Sequence, residues 1–130
     1  MGVNARWLLS DEEREKYTGR LVEELPSLRA KVGISQGELA YLIGTTRQTY
    51  SAVENGKRPM PWQTYLSLIL FFDNLDKTRD TLYKLEIYPT DIMERFNGGK
   101  TRQSSESAEN KVLRDIAKLV EQAKINPVSN

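Results

Sequence analysis

Between Ser35 and Gly56 the chain twice starts a helix and twice stops one, in a span that leaves room only for a tight pair. Ser35 can cap Gln36–Ile43, whose Leu39, Ala40, Leu42 and Ile43 are apolar, and Gly44 is placed to end it in the left-handed conformation. Thr45 or Thr46 then caps a second helix at once, running to about Glu54 and closing at Asn55-Gly56. Helices joined by so short a turn cross closely. Ala40 is small enough for that crossing, and Leu39, Ile43 and Val53 form the wedge between the two.

Helical spacing continues on both sides. Ser10-Asp11-Glu12-Glu13 reads as a capping box that starts a helix near Asp11, with Tyr17, Leu21, Val22 and Leu25 on its apolar stripe. Pro26 is expected to interrupt that helix and open another, which carries Leu28 and Val32 and ends at Gly33. Beyond the rigid connector Lys57-Arg58-Pro59-Met60-Pro61, Trp62–Asp73 is apolar on more than one face and calls for burial on two sides. Leu75, Thr78, Leu82 and Leu85 space a further helix; Tyr88-Pro89-Thr90 breaks it before a short segment, Asp91–Phe96. Lys100–Asn110 lacks apolar anchors and is expected to be a solvated, mobile linker. Val112, Ile116, Leu119, Val120 and Ala123 then share one face of a last helix.

The absence of internal repeats and of alternating apolar patterns makes the expected fold all-α. The expected parts are an N-terminal helical arm (1–24), a two-helix motif with its supports (25–73), a helical extension suited to dimerisation (74–97), and a linker with an amphipathic helix (98–130).

The whole chain is nearly neutral, with 19 Lys and Arg against 18 Asp and Glu, so total charge selects no partner. Its distribution is more telling. Residues 26–61 hold Arg29, Lys31, Arg47, Lys57 and Arg58 against only Glu38 and Glu54, whereas the segments on either side are net acidic. The sequence contains neither cysteine nor histidine, which closes off disulfides, thiolate zinc sites, cysteine nucleophiles and imidazole catalysis. Glu12, Glu13, Glu23 and Glu24 are the abundant acid-base groups, and beside bases on helix faces they read as solvated charge; no enzyme and no cofactor are expected. The longest strongly apolar run, Leu68–Phe72, is far short of a membrane span, and Met1–Ser10 lacks the pattern of a secretion signal, so a cytoplasmic location is expected.

The string Leu28–Pro59 resembles the Cro and phage-repressor type, also called the xenobiotic-response-element (XRE) type, of lambda-repressor-like helix-turn-helix domains. The resemblance covers roughly residues 21 to 73. It implies a bacterial transcriptional regulator, a repressor rather than an activator, that places the helix 45–54 in the major groove of double-stranded DNA. Thr46, Arg47, Gln48, Ser51 and Ala52 are the expected base contacts: Arg suits guanine, Gln suits adenine, and an alanine methyl can touch that of thymine. Gln36, Thr45, Asn55, Lys57 and Arg58 would hold phosphates. Arg29 and Glu54 match positions that form a buried ion pair. Tyr50 stands where the family usually has an aliphatic residue, and its hydroxyl would be directed to solvent or a phosphate. The type also implies a homodimer on a palindromic operator. An alternative is an antitoxin-like protein that binds DNA and also grips a protein partner through 111–124.

Overall fold

The computed structural model describes residues 2–99 and 102–125, and among these every regular element is helical. The helices are α1 (Asp11–Val32), α2 (Gln36–Ile43), α3 (Arg47–Glu54), α4 (Trp62–Asp73), α5 (Asp76–Lys84), α6 (Thr90–Phe96) and α7 (Arg102–Ile125). They fall into two compact units, one of residues Leu8–Pro89 and one formed by the segments before and after it.

Local chemistry sets most of the boundaries in the first unit. Ser10 caps α1 by accepting from the Glu13 amide at 3.1 Å, while Glu13 Oε1 accepts from the Ser10 amide at 3.2 Å. Ser35 and Glu38 repeat the arrangement at α2. Both contacts to Ser35, its backbone amide first, hold the Glu38 carboxyl below the usual glutamate range. Gly33 and Gly44 end α1 and α2 with φ of 78° and 80°, angles that a Cβ would strain. Of the two candidate caps for α3, Thr46 takes the role, accepting from the Thr49 amide at 3.1 Å.

Pro26 does not break the chain's first helix. α1 runs through it from Asp11 to Val32, so the boundary expected between residues 24 and 25 falls inside a continuous helix. The proline is exposed, and Leu21, Leu25 and Leu28 are fully buried on the opposite stripe and hold both halves of the helix to one core.

That core gathers Tyr17, Leu21, Leu25 and Leu28 from α1, Leu39 and Ala40 from α2, Tyr50 and Val53 from α3, Tyr65, Leu68, Ile69 and Phe72 from α4, and Leu82 from α5. α5 packs against α1 and α4, so the expected extension from residue 74 begins within the same unit as the helix pair. Two buried hydroxyls stitch the α4–α5 corner: Thr78 donates to the Phe72 carbonyl and Tyr65 to the Ile87 carbonyl, each at 2.7 Å. The turn after α5 closes with Ile87 N donating to Leu82 O at 2.8 Å, which requires a left-handed residue at Glu86 (φ 55°).

In the second unit, Arg6 Nε donates to the Phe96 carbonyl at 2.7 Å and Trp7 packs on the Phe96 ring at 5.5 Å. α7 starts at Arg102, earlier than expected. Part of the predicted linker, Arg102–Asn110, is therefore helical; its Lys100 and Thr101 lie outside the described residues. The segment lacks apolar anchors, but Gln103, Glu106, Ala108 and Glu109 have good helix propensity and no glycine or proline interrupts them.

Candidate nucleic-acid interface

α3 has two faces with different surroundings. Tyr50, Val53 and Glu54 point into the protein, while Arg47 and Gln48 are exposed and Ser51 and Ala52 half-buried at its outer edge. Residues 47, 48, 51, 52 and 55 follow the one-and-four spacing that keeps them on one side of a helix. Together with Gln36 from the start of α2 and Lys57 from the turn after α3, they line one shallow concavity. Seven of the ten residues expected to contact bases or phosphates meet there. The other three do not line it: Thr45 is half-buried in the turn, Thr46 is exposed with its hydroxyl capping α3, and Arg58 is exposed beyond Lys57.

The chemistry of this concavity is one-sided. Arg47 and Lys57 bring two positive charges, and no carboxylate lines it. Asn55 Nδ2 donates to Ser51 Oγ at 3.3 Å, so two polar groups of the face are held in relation to each other. The Arg47 stem passes close to Gly37: a Cβ built on that glycine would lie 3.8 Å from Arg47 Cδ, an ordinary contact.

Beneath the face lies an ion pair. Arg29 Nε stands 3.0 Å from Glu54 Oε1, with 19% of the arginine side chain and 2% of the glutamate side chain exposed. Arg29 also donates to the Ile34 carbonyl at 3.2 Å, linking the end of α1 to the start of the helix pair. The second carboxylate oxygen of Glu54 accepts from Gln36 Nε2. This last bond escaped sequence reasoning, which assigned Gln36 to a phosphate. The helix-start position gives no hint that the side chain turns inward to a glutamate 18 residues away. In this structure Gln36 both lines the concavity and braces the end of α3.

Tyr50 corrects another expectation. Its side chain is buried and its hydroxyl lies against the Arg29 guanidinium without a well-aligned hydrogen bond, so it reaches neither solvent nor a surface where a phosphate could bind. Burial, and then the Glu54 charge, push its phenol well above the usual tyrosine range. The tyrosine ring fills the core, while its hydroxyl lies among the Arg29 and Glu54 side chains.

Among the described residues no cluster of acidic, cysteine or histidine side chains is placed to hold a metal ion, and no helix is long and apolar enough to cross a membrane. Residues 20–82, from within α1 to within α5, match the family model of a helix-turn-helix domain. No curated protein and no solved structure matches the chain. The matched span contains α2, α3 and the whole concavity, so the outer face of α3 lies in the part of the chain that is similar to a helix-turn-helix domain, a likeness that supports DNA binding.

Proposed function

We propose that this helix-turn-helix chain is a sequence-specific binder of double-stranded DNA that regulates transcription, a repressor of the Cro and phage-repressor (XRE) type acting as a homodimer on a palindromic operator. The observation that carries the reading is the outer face of α3: Arg47, Gln48, Ser51, Ala52 and Asn55 share one acid-free surface with Gln36 and Lys57.

The roles divide by position. Arg47 and Gln48 stand on the first turn of α3, the part of such a helix that enters the major groove, and their forked donor and acceptor groups suit guanine and adenine edges. Ser51 and Ala52, one turn on, meet the neighbouring bases; Thr46 at the cap joins them at the groove edge. Gln36, Thr45, Asn55, Lys57 and Arg58 flank this row and bind phosphates, which fix register without reading sequence.

The test is selection of bound sequences from a random duplex library at physiological salt, with the Arg47→Ala/Gln48→Ala variant alongside. A palindromic motif is expected from the natural chain and its loss from the variant, each side chain contributing about 1–3 kcal/mol of discrimination. Equal losses on selected and random DNA would refute base reading by α3. Lys57→Ala should instead weaken binding to every sequence and reduce the slope of log affinity against log salt by about one.

A further inference from the structure

Gly37 is a glycine in a place whose backbone does not call for one. It is the second residue of α2, it is half-buried, and it is not among the residues with a positive φ. There a glycine weakens the helix relative to alanine, because it loses more freedom on folding. A Cβ would also fit: beyond the chain neighbours it meets Arg47 Cδ at 3.8 Å and Ser35 Oγ at 4.0 Å, both ordinary contacts. Gly19, within α1, has nothing within 4 Å of the corresponding point. What sets Gly37 apart is the arginine stem that lies across it.

The head of that arginine has no anchor inside the protein. Among the described residues Arg47 has no hydrogen-bonding or ion-pair partner, and no carboxylate lines the concavity it shares with Gln36, Gln48 and Lys57. The amide end of α2 beside the stem carries partial positive charge, which does not attract a guanidinium. All the donors of Arg47 are therefore unspent, and their direction is set by how the methylenes of the stem pack.

We propose that Gly37 is a positioning residue for base reading: the space left by its missing side chain seats the stem of Arg47 and aims the guanidinium at a guanine in the major groove. The inference rests on the reading of the outer face of α3 given above and adds the residue that governs which base Arg47 selects.

A guanidinium bonds both acceptors of guanine only when its fork lies along the base edge, so its selectivity depends on angle as well as reach. A stem resting on a neighbouring helix keeps that angle. Carbons settle about 3.5–4.0 Å apart, so alanine at 37 meets the stem without moving it. Isoleucine fills two of the three staggered directions beyond its Cβ and displaces the stem. The rival role for a small residue here is clearance for a DNA strand passing the start of α2. Under that role any added carbon harms binding whether or not Arg47 is present.

The test compares the full natural chain with Gly37→Ala, Gly37→Ile, Arg47→Ala and Gly37→Ile/Arg47→Ala, using urea midpoints as the folding control. In the free protein, nuclear Overhauser contacts between the Gly37 α-protons and the Arg47 δ-protons report the seat without DNA. Fluorescence anisotropy then measures affinity for the duplex selected by the natural chain and for one altered at the base pair whose selection Arg47→Ala abolishes. The Overhauser contact is expected in the natural chain. The natural chain and Gly37→Ala should separate the two duplexes by about ten-fold, and Gly37→Ile by less than about three-fold, with both midpoints at or above the natural one. In the Arg47→Ala background, Gly37→Ile should cost less than about two-fold in affinity, because the stem it displaces is gone.

A missing Overhauser contact, with a motif still selected, would overturn the seat and leave DNA reading by α3 intact. A contact present in a natural chain that selects no motif would refute the DNA reading, and the positioning role with it, while the packing stands. Gly37→Ile that still separates the duplexes ten-fold would overturn the positioning role. So would Gly37→Ala weakening both duplexes, or Gly37→Ile costing as much without Arg47 as with it, and either would favour strand clearance.

Discussion

Replacing Arg29 by methionine would strand the Glu54 carboxylate in the protein interior. In the natural chain one oxygen of Glu54 takes Arg29 Nε at 3.0 Å and the other takes the Gln36 amide, with only 2% of the glutamate side chain exposed. Breaking a buried ion pair from one side costs about 3–5 kcal/mol, because the remaining charge keeps its desolvation cost and loses its partner. Two features place this case near the lower end: Arg29 is itself 19% exposed, so water can approach, and Gln36 still donates to the carboxylate. A loss of about 3 kcal/mol is therefore expected, against a total of about 5–15 kcal/mol for a domain. Urea denaturation followed by circular dichroism measures it directly. Arg29→Met/Glu54→Leu closes the double-mutant cycle and should be more stable than Arg29→Met alone, since it removes the orphaned charge. A loss below about 1 kcal/mol for Arg29→Met, or a double variant weaker than the single, would show that Glu54 does not depend on Arg29 and would refute the reasoning.

Tyr50→Phe should leave stability unchanged or raise it by about 1 kcal/mol in thermal unfolding, because the hydroxyl it removes is buried without a well-aligned hydrogen bond; a loss above about 1 kcal/mol would mean that its contact with Arg29 is a real hydrogen bond. Glu86→Gly should raise the melting temperature by removing a left-handed strain of about 1 kcal/mol, offset only weakly by losing the exposed Arg20–Glu86 pair, whereas a lower melting temperature would assign real value to that pair. For Glu38 the capping contacts lower the folded-state pKa, so its contribution to stability is complete above the ordinary glutamate range and is lost as pH falls through the lowered value. The stability gap between the natural chain and Glu38→Gln should therefore close on acidification, and a gap independent of pH would contradict the capping assignment.

What could be read in the sequence was what depends on near neighbours. Ser10 with Glu13, the Ser35 cap, and the left-handed Gly33 and Gly44 are decided within a few residues, and each stands where the pattern put it; the partner role of Glu38 at the Ser35 cap is equally local but was not read. Pro26 misled because its effect depends on which side of α1 it faces; only packing of Leu21, Leu25 and Leu28 settles that the ring points to water. Arg102–Asn110 misled in a related way, since missing apolar anchors argue against burial and say little against helix. Tyr50 and Gln36 were missed for a third reason. Their environments are set by Arg29 and Glu54, and the inward turn of Gln36 to Glu54 spans 18 positions of sequence.

If the outer face of α3 reads DNA as proposed, its two faces imply that stability and sequence preference can be changed separately. Tyr50, Val53 and Glu54 fix the helix to the core, and none of them lines the concavity; Arg47 and Gln48 are exposed and contribute no packing to the buried set. The Arg47→Ala/Gln48→Ala chain should accordingly unfold within about 0.5 kcal/mol of the natural one even where its sequence preference is gone. Gln36 is the exception, because it lines the outer surface and also donates to Glu54. If Gln36 turns outward to take a phosphate, Glu54 loses one of its two donors and keeps Arg29. DNA affinity would then be set partly by the strength of that internal bond. Glu54→Gln weakens the hold on Gln36 by removing the charge, so it should lower folding stability, through the unpaired Arg29, while tightening DNA binding by the residual chain that stays folded. Fluorescence anisotropy on a selected duplex, corrected for the folded fraction by urea titration, measures both terms. Affinity falling in proportion to stability would mean that Gln36 never leaves Glu54 and that the phosphate assignment is wrong.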